Sequence, residues 1–121
     1  RTMIFCVDNK DKKKYKNDHV SVLTTDKKGD YINLNSVLKA LANEGINEIL
    51  VESGSVLSGA FLREKLVDEL VIYQAPLIMG SRTMSMFSTP EWESLSNGML
   101  LDIKDIRKFD RDLKIVAVPV Y

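Results

Sequence analysis

Between Leu34 and Ala75 the apolar residues alternate between helical and strand spacing, and this alternation limits the chain to few folds. Leu34, Val37, Leu38 and Leu41 stand at i, i+3, i+4 and i+7, one stripe of a helix over Leu34–Glu44. Asn33 is placed to cap its start, and Gly45 sits where a left-handed C-terminal cap is wanted. Ile46–Val51 then reads as a strand and Ser55–Leu66 as a second helix, with Val56, Leu57, Ala60 and Phe61 inward. Leu70–Ala75, closed by Pro76, reads as a strand apolar on both faces. Ahead of this block, Thr2–Val7 and His19–Thr24 are strand-like, with the loop chemistry of Asp26–Asp30 after them. Behind it, Gly80–Ser96 lacks periodicity and reads as a long loop, and Met99–Phe109 and Leu113–Val120 form a hairpin around Asp110–Asp112. Strands alternating with helices imply an α/β fold: three layers, with a mostly parallel sheet flanked by helices and a C-terminal antiparallel hairpin at one edge. Pro119 places the last strand near an edge that must be covered, which points to a homodimer.

The chain has 121 residues, room for one domain with a core, and its basic and acidic residues balance at seventeen each. No global field therefore recruits nucleic acid or an anionic membrane. The single Cys6 cannot form an internal disulfide, and within its strand it reads as a small core residue. No apolar run reaches membrane-spanning length and no signal pattern opens the chain, so the expected setting is the cytoplasm. The chain opens directly on a strand, as a fragment with an upstream part would. Its first sixteen residues carry six basic and two acidic side chains, concentrated in Lys10–Lys16: a solvated face or an anion-contacting edge. His19, the only histidine, heads a strand and reads as a surface residue. No metal-ligand cluster and no Ser-His-Asp arrangement can be assembled.

The stretch that carries chemistry is Leu50–Leu62, LVESGSVLSGAFL. In open α/β sheets ligands bind beyond the carboxyl ends of strands, where loops lead into helices. Ser53, Gly54 and Ser55 let a phosphate approach the helix N-terminus; a serine-capped turn without a ligand fits the same spacing. Glu52 ends an apparently buried strand, where an unpaired carboxylate is costly, so it reads either as a polar-ligand acceptor or as an exposed strand-end acid.

Val51-Glu52-Ser53-Gly54, Leu57, Leu62, Leu66-Val67-Asp68-Glu69-Leu70, Ala75-Pro76 and Gly80 together resemble the C-terminal reductase domain of the bifunctional riboflavin-biosynthesis deaminase–reductase. The resemblance implies a dihydrofolate-reductase-like fold and NADPH-dependent reduction of the ribose of a phosphoribosylamino-pyrimidine to a ribityl chain. It implies that this chain is the C-terminal, cofactor-binding portion of the reductase domain, with upstream strands needed for turnover. Gly54, Ser55, Val56 and Leu57 would hold the cofactor pyrophosphate, with Ser53 beside them and Ser58, Gly59 and Ala60 lining the first turn. Glu52 would contact substrate. Val7 and Asp8 would lie at the adenosine ribose and its 2′-phosphate, with Thr24 and Thr25 on the adenine side. Ser53 stands where the family usually has glycine, so a positive φ there would cost about 1 kcal/mol or more. Asp8 stands where hydroxyl residues are common and would repel a 2′-phosphate. A dihydrofolate-reductase-like enzyme on another substrate and a non-catalytic nucleotide-binding or oligomerisation module are the competing readings.

Overall fold

The computed structural model describes residues 1–8, 12–15, 18–89, 94 and 97–121, with Lys12 and Lys13 described by their backbone. Two compact units divide the chain, Arg1–Leu50 and Val51–Tyr121.

In the first unit, β1 (Thr2–Cys6) and β2 (Val20–Thr24) form a parallel pair in the register Thr2↔Val20 to Cys6↔Thr24. Cys6 is half-buried within it, and His19, exposed, accepts the Thr2 N–H on its carbonyl at 2.8 Å. A 3-10 turn spans Lys12–Tyr15; Lys10 and Lys16, the ends of the basic cluster, lie outside the described residues. The segment read as loop holds a small hairpin of β3 (Lys27–Lys28) and β4 (Tyr31–Ile32). Helix α1 (Leu34–Asn43) begins where Asn33 accepts the Ser36 N–H on its side chain at 3.3 Å. Leu34 is buried and Val37, Leu38 and Leu41 half-buried, the stripe that the spacing predicts. Gly45, at φ 82°, closes the helix, its N–H donating to Ala42 and that of Ile46 to Leu41. This paired C-terminal motif needs the left-handed backbone that glycine adopts without strain.

In the second unit, α2 (Ser55–Arg63) packs its Ser55, Ser58, Gly59 and Leu62 stripe inward, while Val56 and Leu57 are exposed. Phe61 is buried and Ala60 half-buried, as the spacing predicts, whereas Val56 and Leu57, expected inward, are not. Lys65 (φ 57°) takes the position after the C-cap that Gly45 takes after α1. A three-stranded antiparallel sheet follows, in the order β5 (Leu70–Gln74), β7 (Asp112–Val120), β6 (Leu100–Phe109). Its core is Phe61, Leu62 and Ala117. A register shift between Ile103 and Asp105 marks a bulge in β6. Tyr73 and Phe109 meet edge-to-face across β7, with ring centroids 6.4 Å apart.

The structure corrects several expectations. Ile46–Val51 joins no ladder among the described residues, and Leu50 is 79% exposed. A strand exists only with a partner for its N–H and C=O groups, and apolar composition alone supplies none. Among the described residues the pairing is accordingly mainly antiparallel, with parallel pairing confined to β1 and β2. β5 is not buried on both faces: Val71 and Tyr73 are exposed. β7 is the central strand, not an edge. Its Pro119 lies beyond Ala117, where the β5 ladder ends, so it has β6 alone as a neighbour and its missing N–H is tolerated. Among the described residues no helix is long and apolar enough to cross a membrane.

Candidate active site

Helices α1 and α2 start differently. The first turn of any helix carries N–H groups that no carbonyl of its own can reach. In α1 the Asn33 side chain takes one of them. In α2 the N-cap is Gly54, which offers no side chain, so the N–H groups of Ser55, Val56 and Leu57 lack that help. The ladder begins only with the Ser58 N–H donating to the Gly54 carbonyl at 3.1 Å. The positive end of the helix dipole and these donors make a setting for an anion.

Gly54 has φ −72° and ψ 168°, a conformation open to any residue. A Cβ built on it meets nothing within 4 Å. Neither backbone strain nor the chain's own packing requires glycine here, and the open space is what a bulky anion needs for close approach. Ser53 is not among the positive-φ residues, so serine replaces glycine without strain. Its hydroxyl lies 2.9 Å from that of Ser58, a pair bracketing the helix start. Val56 and Leu57 are exposed at the first turn, and Ser58 and Ala60 are half-buried. Gly59 does not line this space: it is buried against the backbone of Ser88.

Glu52 is exposed and follows an unpaired extended segment. The expected cost of a carboxylate at the end of a buried strand therefore does not arise. Glu52 is exposed two residues from Gly54, so its carboxyl oxygens are accessible to a polar ligand.

In the other unit, the parallel pairing of β1 and β2 brings their carboxyl ends side by side. Cys6 stands opposite Thr24, and the Thr25 N–H donates to the Cys6 carbonyl at 3.0 Å. Val7, Asp8 and Thr24 are exposed at this edge. The Thr25 hydroxyl is buried with no hydrogen-bond partner among the described residues. Such a group is uncommon in a finished structure and suits a site that a ligand completes. Beyond it the Ser36 hydroxyl donates to the Asp26 carboxylate at 2.6 Å, tying the start of α1 to the end of β2. Sequence reasoning missed Arg63 and Ser88, which meet at 3.3 Å; Ser88 contributes backbone atoms, which leave no trace in residue type.

A parallel β pair with a polar carboxyl edge in the first unit and, in the second, an uncapped helix followed by an antiparallel sheet are the elements of an α/β protein. The chain belongs to the RibD C-terminal domain family, whose model matches residues 1–115. It is 36% identical over 88 residues to the 5-amino-6-(5-phosphoribosylamino)uracil reductase of Buchnera aphidicola subsp. Acyrthosiphon pisum, covering 73% of this chain and 42% of that protein. The solved RibD of Acinetobacter baumannii (form 2) superposes with a TM-score of 0.71 at 28% identity, over 82% of this chain and 27% of that one. The riboflavin biosynthesis reductase Rib7 of Saccharomyces cerevisiae shares the fold, with a TM-score of 0.72 at 18% identity over 98% of this chain and 55% of that one. The chain thus spans less than half the length of the Buchnera relative and about a quarter of the Acinetobacter protein.

Proposed function

We propose that this chain is the cofactor-binding portion of a cytoplasmic pyrimidine reductase of riboflavin biosynthesis, acting on 5-amino-6-(5-phosphoribosylamino)uracil with NADPH. The observation that carries the reading is the family match over residues 1–115 in a chain whose α2 starts uncapped at Gly54. The N–H groups of Ser55, Val56 and Leu57 would hold the pyrophosphate, with the Ser53 hydroxyl as a further donor. Ser58 and Ala60 complete the turn behind them. NADPH, when bound, supplies the hydride that reduces the ribose to its ribityl form. Glu52 accepts a hydrogen bond from the substrate and orients it, and as a carboxylate it does so without taking part in hydride transfer.

The test is Glu52→Gln in the full-length protein. The KM for the pyrimidine is expected to rise about tenfold, the loss of one charge-assisted hydrogen bond, with the NADPH Kd within about twofold. Equal losses in both would remove Glu52 from the substrate role, and a wild-type protein that binds no NADPH in calorimetric titration would reject the reading. The protein is also expected to be a homodimer, since among the described residues β5 and β6 each have an edge with no neighbouring strand. Sedimentation at micromolar concentration checks this, and a monomer there would count against it.

A further inference from the structure

The loop from Gly80 to Thr89 has no regular secondary structure, yet one point of it is held closely to α2. Ser88 makes the contact through its backbone. Its N–H donates to the Ser55 carbonyl at 2.9 Å. Its own carbonyl accepts from the Arg63 guanidinium at 3.3 Å. Between these two bonds the Ser88 peptide lies on Gly59, where an added Cβ would stand 2.2 Å from the Ser88 carbonyl oxygen and 2.7 Å from its carbon. Ser55, Gly59 and Arg63 are spaced i, i+4, i+8, one ridge of the helix.

Gly59 is not needed for its backbone angles, because it is absent from the glycines with positive φ. In a helix interior glycine is about 1 kcal/mol worse than alanine. The close approach of Ser88 is therefore the physical reason for glycine at this position. The bond to Ser55 falls on the first residue of α2, the turn that Gly54 leaves without a side-chain cap. An end lacking a cap frays more readily, and a tether there compensates.

We infer that Gly59 is a positioning residue: it admits the 80–89 loop as a strap along the Ser55–Gly59–Arg63 ridge, and the strap holds the first turn of α2 in the orientation that binds the cofactor pyrophosphate. The role rests on the NADPH reading above.

The experiment uses the full-length protein with two readouts, NADPH titration and the rate of tryptic cleavage at Arg82, an exposed residue of the strap. Gly59→Ala is expected to weaken NADPH binding about tenfold and to speed cleavage at Arg82, with kcat at saturating NADPH within about twofold. Helix propensity alone predicts the reverse, a stabilised helix and unchanged cleavage. Ser88→Ala, which keeps every backbone contact, is expected to match wild type in both readouts. Arg63→Met, a milder variant should Gly59→Ala fold poorly, is expected to speed cleavage at Arg82 and to add little to Gly59→Ala, because both act through Ser88. Wild-type cleavage and NADPH affinity in Gly59→Ala and in Arg63→Met would overturn the inference. A wild-type protein that binds no NADPH overturns the reading beneath it and the positioning role with it, whereas NADPH binding that Gly59→Ala leaves unchanged overturns the positioning role alone.

Discussion

Lys65 holds a backbone conformation that lysine rarely adopts. At φ 57° it is the left-handed residue that lets the Leu66 N–H reach the Phe61 carbonyl at 3.0 Å and closes α2. Its ammonium stands 5.9 Å from the centroid of the Tyr121 ring, an exposed contact that offsets little of the strain. Gly45 performs the same task after α1 at no such cost. Lys65→Gly is therefore expected to stabilise the fold by about 1 kcal/mol, read as a higher urea midpoint at unchanged slope. Ser53 shows the opposite case: a family glycine replaced by serine looks strained on paper, and the actual φ removes the concern. Residue type marked Gly45 as a left-handed position but gave no sign that Lys65 holds one.

At the scale of elements, the two helices separate folding from function. Helix α1 is legible from end to end, because its stripe, its Asn33 cap and its Gly45 stop are local features that act over a single turn. Helix α2 was legible in position and at Ala60 and Phe61, which face inward as the spacing predicts, but not at Val56 and Leu57, which do not. Its inward face is set by Ser88 lying on Gly59, a contact 29 residues away in sequence that only the folded chain brings about. Its uncapped start also allows a prediction of opposed effects. Gly54→Asp supplies the missing cap and favours the helix dipole, so stability is expected to rise by a few tenths of a kcal/mol up to about 1. If the proposed pyrophosphate binds at this turn, the same carboxylate repels it, and NADPH affinity is expected to fall more than tenfold, a loss of over about 1.4 kcal/mol. Thermal unfolding and calorimetry on the one variant check both signs. A fall in stability with unchanged affinity would place the anion elsewhere.

At the scale of whole units, one side chain of the second ties the residue after β7 to the turn after α2. The Tyr121 hydroxyl donates to the Val67 carbonyl and accepts the Val67 N–H, each at 3.1 Å. Tyr121→Phe leaves both backbone groups of Val67 without that partner and is expected to cost about 1 kcal/mol. A chemical denaturation curve displaced to lower midpoint would show it, and an unchanged curve would mean that water replaces the phenol fully.

The α1 stripe and caps, the β1, β2 and β5 strands, the terminal hairpin and the start of α2 were written in the sequence, because each depends on propensities and spacings within a few residues. The motif run from Val51 to Gly80 likewise pointed to the family that the matched residues 1–115 establish. Tertiary structure alone decided that β7 is the central strand, that Ile46–Val51 stays outside every described ladder, and that Gly59 lies against the Ser88 peptide. The reason is common to all three. Strand pairing and backbone contact depend on which distant main-chain groups arrive, and main-chain groups are the same in every residue.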